Sequence, residues 1–539
     1  MTSNLEVLLG PPGTGKTTAL LQRLESELSG DTSPEDVAFV SFTRAAREEV
    51  LARVGRRFDI DGKDFPWLRT IHGTAFRLLN LAPDRVLDGR HWSEFGRAHG
   101  YRFTAVGWTN MEDPLGSAPR QTTDDLLRAT YEWGRNRGLD VETTLARAPA
   151  RVVAGSFRRF VSRYVSFKRD KRVVDFNDML EEALARGLRP DVKVAFVDEA
   201  QDLSPLQVRA VQAWFGHCRQ VYVAGDDDQA IYGFQGADPG WLLALSRAHP
   251  TTVLAQSYRV PATVHALAMQ LVARNQNRIR KTYTPRQVGG SVDYLPLEAA
   301  LSQVDGASPT FVLVRNRCFL EGVAEQLQAA GVAYVVEGGG AANPLGPQLL
   351  AAVRSARAVA YGWNVQADDL QAMLEFIPSN GASLLPRGVK ARAAQLDGEL
   401  APSVIKNLLQ GGTLLSVAAA EGPLGMLKRL DGATRRYLEA IHARHGSLVE
   451  PKVRLTTIHG SKGREADTVV LVPEMTRATY MEHLDQRHGG AEAENRVAYV
   501  GATRAKERLI IAGATRPLAY RYPRVTGAWS QTLGATGST

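Results

Sequence analysis

"LEVLLGPPGTGKTTALLQRLESEL", residues 5–28, changes its repeat in mid-stretch. Leu5 to Leu9 form a short apolar run, the pattern of a buried strand. After the glycines, Thr17, Leu20, Leu21, Leu24 and Leu28 recur at helical spacing. Strand, glycine-rich turn, helix is the opening of an α/β unit. The turn, "GPPGTGKT", has the full P-loop spacing in Gly10, Gly15, Lys16 and Thr17. Glycines let backbone N–H groups wrap phosphate oxygens at the positive end of the following helix. Gly10, Pro11, Pro12, Gly13, Thr14, Gly15, Lys16 and Thr17 are therefore the candidate nucleotide cradle. In it Lys16 would reach the β- and γ-phosphates, and the Thr17 hydroxyl would ligate Mg²⁺.

Working outward, "VAFVSFT", "VKVAFVDE", "QVYVAGDD" and "TTVLAQS" are short apolar strands that end in polar loops. A second set follows in "TFVLVRN", "GVAYVVEGGG", "RLTTIHG", "DTVVLVPE" and "RLIIAGA". Both sets alternate with helix-like sequence, which predicts two α/β domains with parallel sheets covered by helices. Two stretches lack this rhythm and are rich in Ala, Leu and Arg, so they read as helical insertions. The expected organisation is a first domain over 1–80 and 173–250, interrupted by an insertion over 81–172. A second domain would cover 251–349 and 448–525, interrupted over 350–447, with a flexible tail over 526–539.

A chain of 539 residues is too long for one core and predicts roughly two to four compact units. Lys and Arg number 65 against 57 Asp and Glu, a net charge of +8 that favours a polyanionic partner such as nucleic acid. Cys218 and Cys318 are too few for a disulfide framework or a zinc knuckle, which fits a reducing, cytoplasmic location. No apolar run approaches membrane-spanning length, and the first residues do not read as a signal peptide.

"VAFVDEAQD" offers the partner carboxylates of a phosphate site. Asp198 leaves a strand end, where it can hold Mg²⁺ through water, and Glu199 is placed to orient or deprotonate an attacking water. "VAGDDDQAIYGFQGAD", residues 223–238, raises a separate question by crowding Asp226, Asp227 and Asp228 beside Gln229, Tyr232 and Phe234. An acidic metal site, a polar turn and a device joining two ligands are the readings open to it. In "SFRRFVSRYVSFKRDKR", residues 156–172, Phe157, Phe160, Tyr164 and Phe167 fall on one helical stripe. They read as packing residues, which leaves Arg158, Arg159, Arg163 and Lys168 on a solvated face.

Taken in order, "GPPGTGKT", "SFTRAAREEV", "RTIHGTAF", "VDEAQD", "GDDDQAIYGFQGA", "QSYR", "TTIHGSKGREAD" and "AYVGATRAKERL" resemble the motifs of the UvrD/Rep-type superfamily 1 DNA helicases. The resemblance spans residues 5–513 and implies two RecA-like domains with ATP between them, each carrying a mostly helical insertion. It also implies residue roles. Gln229 matches a sensor of the γ-phosphate and attacking water, and Tyr258 an aromatic near the nucleotide base. Arg259 matches a γ-phosphate contact, Glu465 a ribose contact, and Arg504 the arginine finger from the second domain. A planar guanidinium suits charge spread over a transferring phosphoryl group. Thr43, His72, Tyr232, Phe234 and His459 fall in motifs that line single-stranded DNA, although His72 also reads as an ordinary core histidine. On this view Gln229 faces nucleotide while Phe234 stacks on a base. The acidic segment then couples two ligands, with part of it serving only as a polar turn.

The chain departs from the family pattern in places. Phe234 and Gln235 stand where relatives carry tryptophan then arginine, and nine residues before Gly10 hold no counterpart of an adenine-reading glutamine segment. The expected activity is an ATP- and Mg²⁺-dependent translocase on single-stranded DNA and a 3′→5′ helicase at single-strand/duplex junctions. Repair or replication proteins are the expected partners. The alternative is a single-strand-dependent ATPase motor that unwinds only within a nuclease or repair complex. A binding module without turnover conflicts with the presence of Glu199, Gln229 and Arg504.

Overall fold

The structure, a computed structural model, describes residues 4–41, 50–51, 55, 63–104, 122–287, 289–337, 343–378, 384–410, 412–446, 450–485 and 489–525. Thr43 and the tail over 526–539 lie outside the described residues. Two six-stranded sheets organise the rest. The first contains β1 (Leu5–Leu9), β2 (Val37–Ser41), β3 (Trp67–Thr70), β4 (Val194–Val197), β5 (Gln220–Gly225) and β6 (Thr251–Val253) in the order β3-β2-β4-β5-β1-β6. All its pairings are parallel. The second contains β9 (Ser291–Pro296), β10 (Thr310–Val314), β11 (Tyr334–Val336), β14 (Val453–Thr457), β15 (Ala466–Val472) and β16 (Ala505–Gly513), again all parallel. Its order is β11-β14-β10-β15-β16-β9. Short pairs β7 (Gln256–Pro261) with β8 (Thr284–Arg286), and β12 (Val365–Gln366) with β13 (Glu399–Leu400), complete the strands described.

The apolar runs behave as strands buried on both faces should. In β4, Ala195 and Val197 pack with Trp214 on one face, while Val194 and Phe196 join Leu20, Leu21 and Leu24 on the other. The helix Lys16–Leu28 thus covers the first sheet with the stripe visible in the sequence. In β10, Val312 and Val314 face one core and Phe311 and Leu313 the other. The chain is an α/β protein of two RecA-like units with helical insertions. Among the described residues no helix is long and apolar enough to cross a membrane.

The insertions are built differently. The first has its own aromatic core, in which Trp92, Phe95, Phe157, Phe160, Tyr164 and Phe167 meet. In the second, Met373, Leu374, Leu414 and Met426 share one core with Val312 and Val470 of the sheet. Two expectations change here. Strand β6 pairs with β1 from Val7↔Thr251 to Leu9↔Val253, so the first sheet extends past the boundary expected at residue 250. Lys168 is buried instead of solvated, because its ammonium bridges Asp175 and Asp178 at 2.5 Å each. Arg158, Arg159 and Arg163 are exposed, as the stripe predicted.

Candidate functional site

Because the first sheet is parallel, the carboxyl ends of β1, β4 and β5 share one edge, where open α/β sheets bind ligands. The register carries Leu9 opposite Gly225, and Gly10 N–H donates to the Gly225 carbonyl at 3.0 Å. Gly13 and Gly15 have φ of 73° and 77°, the left-handed region that favours glycine. A Cβ on Gly10 would lie 2.6 Å from the Lys16 Cβ, and one on Gly13 2.3 Å from the Arg259 Cβ. Gly15 caps the helix Lys16–Leu28 with no side-chain acceptor, so that helix presents its first N–H groups without a side-chain partner. A tight glycine cradle before an open helix N-terminus fits a nucleotide triphosphate. Thr17, in the first turn, and Asp198, at the end of β4, are hard oxygen donors of the kind Mg²⁺ takes.

Lys16 Nζ lies 2.5 Å from Glu199 Oε1. Burial alone would lower the pKa of Lys16, but Glu199, Asp198 and Asp226 together hold it above the ordinary lysine value. Glu199 occupies the left-handed region at φ 54°, and its N–H donates to its neighbour Asp198 Oδ1 at 2.8 Å. Gln201 ties this turn to the next strand end: its Nε2 donates to Glu199 and, at 3.1 Å, to Asp202, while its Oε1 accepts from Asp226 N–H at 2.9 Å.

The second sheet reaches this edge through the segment after β14. Lys462 Nζ pairs with Asp202 Oδ2 at 2.5 Å and donates to the Gln229 carbonyl at 2.8 Å. Ala466 pairs with Ala505, which sets Glu465 and Arg504 side by side at the start of β15 and β16. Arg504 is buried and donates to the Val500 and Arg464 carbonyls, and its Nη2 reaches Gln229 Oε1 at 3.3 Å. Burial and the nearby Arg259 pull its pKa down to about 9. The Gln229 amide donates to Asp226 Oδ2 at 2.7 Å. Arg259 and Glu465 are ion-paired with each other across the cleft. Tyr258 is 73% exposed, with its N–H donating to the Gly13 carbonyl at 2.8 Å. Ser257, to which no role is assigned within "QSYR", donates its hydroxyl to the Pro12 carbonyl at 2.7 Å and so fastens the Tyr258–Arg259 strand to the cradle.

A few residues on, the same loop meets the second half again. Phe234 packs edge-to-face on His459, centroids 5.3 Å apart and planes at 88°, and is 40% exposed. Tyr232 sits behind them, 5% exposed, with the Lys462 ammonium 4.8 Å from its ring centroid. Its face is therefore covered, which corrects the expectation that it lines DNA; it backs Phe234 instead. Burial first, then the cations Arg315 and Lys462, hold His459 well below the usual histidine pKa. His72 is not part of this group. It is buried against Phe176, centroids 5.1 Å apart, and burial pulls its pKa down to about 4. Of the two roles open to it, the structure takes the core one. The loop is also braced from the first insertion, where Asn136 donates to the Gln235 carbonyl at 2.7 Å and Arg137 pairs with Asp238 at 3.0 Å.

The acidic run is neither a solvated turn nor a metal cage. Asp226, Asp227 and Asp228 are all 1% exposed or less, and Lys281 Nζ lies 2.8, 2.5 and 2.8 Å from them respectively. Their carboxylates converge as metal ligands would, yet the ammonium takes a cation's place. Part of the run was expected to be a solvated polar turn; burial at the end of β5 requires a counter-charge for each carboxylate instead. Nothing in the sequence marks Lys281, 53 positions downstream of Asp228, as that counter-charge.

Comparison with known proteins adds the following. The family model for the UvrD/REP helicase N-terminal domain matches residues 2–250, and that for the UvrD-like helicase C-terminal domain matches residues 435–516. The chain is 28% identical over 560 aligned residues to a Mycobacterium tuberculosis protein named ATP-dependent DNA helicase UvrD2, covering 94% of this chain and 76% of the relative. A Mycobacterium bovis protein of the same name matches equally. It is 25% identical over 308 residues to a Staphylococcus aureus protein named ATP-dependent DNA helicase PcrA, covering 53% of this chain and 40% of the relative.

Proposed function

Because the chain belongs to the UvrD/Rep-type superfamily 1 helicases, we propose that it is a DNA-dependent ATPase that moves 3′→5′ along single-stranded DNA and unwinds duplex at a junction. The observation that carries this reading is one loop with two ends. Gln229 meets Arg504 at 3.3 Å, and five positions on Phe234 presents an open ring beside His459. Bound Mg²⁺, held by Thr17 and Asp198, would offset charge on the phosphates. Lys16 and the 10–17 backbone would bind the triphosphate, with Tyr258, Arg259 and Glu465 around the rest of the nucleotide. Glu199 would orient and deprotonate the attacking water, Gln229 would hold it, and Arg504 would stabilise the charge that develops. Phosphate arrival requires Lys16 to exchange Glu199 for the nucleotide, which frees the carboxylate for water. On the other side, Phe234 and His459 would hold bases. The two RecA-like units are assigned to 1–80 with 173–253, and to 254–349 with 448–525.

Strand displacement with purified protein tests this on duplexes bearing a 3′ tail, a 5′ tail or none. Unwinding should require ATP and the 3′ tail. Efficient unwinding from a 5′ tail alone would overturn the polarity. DNA-stimulated hydrolysis without any strand displacement would favour the alternative of a motor that unwinds only with partners.

A further inference from the structure

The segment Asn275–Tyr283 leaves the helix Ala262–Val272 and crosses to the loop after β5. Arg278 grips Asp228 with two nitrogens, at 2.7 and 2.5 Å. Ile279 N–H donates to Asp227 Oδ2 at 2.8 Å, and Lys281 reaches all three aspartates. The helix Gly490–Ala502 closes over the same place. Its Arg496 donates to the Asp227 carbonyl at 3.1 Å and the Asn277 carbonyl at 2.7 Å, and Tyr499 lies with its hydroxyl 3.3 Å from that of Tyr283. The turn that follows this helix carries Arg504, which contacts Gln229. One arginine inside the helix and one in the turn after it therefore touch both sides of the short turn Asp226 to Gln229, whose three acids need a buried cation to share that space.

We propose that Lys281 is a positioning residue for nucleotide hydrolysis: its ammonium, held by Asp226, Asp227 and Asp228, fixes the turn that carries Gln229 in register with Arg504. The proposal rests on the hydrolytic reading above. Lys281 contacts neither the 10–17 cradle nor Phe234, so its work is on geometry. Asp226 is the link, since it binds the Lys281 ammonium through Oδ1 and the Gln229 amide through Oδ2. Without the ammonium, the acids repel one another and the turn relaxes. A displacement of about 1 Å at a reacting group can cost on the order of 100-fold in rate.

Steady-state ATPase with and without oligothymidylate decides it, measured on Lys281→Met and Lys281→Arg in wild-type and Gln229→Ala backgrounds, with circular dichroism to confirm the fold. Lys281→Met should lower DNA-stimulated kcat by roughly 10- to 100-fold while KM for ATP and oligonucleotide Kd stay within about threefold. Lys281→Arg keeps the charge but cannot place a planar guanidinium among three carboxylates, so it should fold and lose at least about threefold in kcat. Neither substitution should slow the Gln229→Ala protein further, because the shared path is already lost. If Lys281→Met does not fold, Lys281→Arg carries the test. A folded variant that hydrolyses at the wild-type rate overturns the proposal, as does an equal loss in both backgrounds. Failure of the hydrolytic reading is distinct: wild-type protein would then show no DNA-stimulated ATPase, or Gln229→Ala would show the full wild-type rate.

Discussion

Phe234→Ala separates a DNA platform from a surface aromatic. The ring is 40% exposed and stands perpendicular to His459, so part of its surface is open to a base. Stacking is worth on the order of 1–3 kcal/mol per base, so its loss should weaken single-strand binding by about 5- to 150-fold. The fold loses an aromatic edge contact worth about 0.5–1.5 kcal/mol, small enough that the protein stays folded. Tyr232→Phe is the internal comparison. Tyr232 is covered by Lys462 and 5% exposed, so removing its hydroxyl should change affinity less than about twofold. Fluorescence anisotropy with labelled oligothymidylate at one fixed salt concentration reads both, since backbone contacts make affinity salt-dependent. Basal ATPase should be unchanged in Phe234→Ala while DNA stimulation falls. An affinity within twofold of wild type for Phe234→Ala would refute the stacking argument and reduce Phe234 to packing for His459.

Arg504→Ala should cut DNA-stimulated kcat by about 10³–10⁵ with a far smaller change in nucleotide affinity, read by steady-state ATPase and titration of a fluorescent ATP analogue; a loss under tenfold would mean that the cleft is not assembled from both halves. Lys16→Ala and Glu199→Gln should both abolish turnover, but only Glu199→Gln should still bind ATP, because it releases Lys16 from its 2.5 Å ion pair; normal hydrolysis by either variant sinks the assignment. His72 gives a pH prediction. Its folded pKa of about 4 lies below the ordinary 6.5, so the unfolded chain takes up its proton first and stability falls as pH drops through that window, by up to about 3 kcal/mol. Urea unfolding at pH 7 and pH 4.5 should show a smaller acid loss in His72→Phe than in wild type, and equal losses would show that the ring is not buried neutral.

Much of the fold was legible because two-sided burial leaves a strong local signal. Strands such as Val194–Val197 and Thr310–Val314 are buried at every position, almost wholly apolar, and central in their sheets. In the two large sheets, the strands not expected from sequence, Trp67–Thr70 and Ser291–Pro296, are both sheet edges. Each has one residue fully buried and the others half exposed, apart from Pro296, which is exposed, so neither makes an apolar run. The same logic explains Lys168, whose place on an amphipathic helix suggested solvent. Asp175 and Asp178 arrive from the next helix and draw it inward.

By itself the sequence determined two parallel α/β units, a phosphate cradle at the first turn, and the residue types around it. Those features depend on backbone geometry and spacing that are written within a few positions of each other. Only the tertiary structure decided which charges meet. Lys281 and Arg278 pair with three aspartates about 50 positions away, Lys462 pairs with Asp202 across the cleft, and Arg259 pairs with Glu465. An acidic run can be solvated, metal-bound or ion-paired, and its neighbours in sequence do not distinguish these. The distinction is made by burial, because a carboxylate removed from water must find a counter-charge, and the fold alone determines which cation is near enough to supply it.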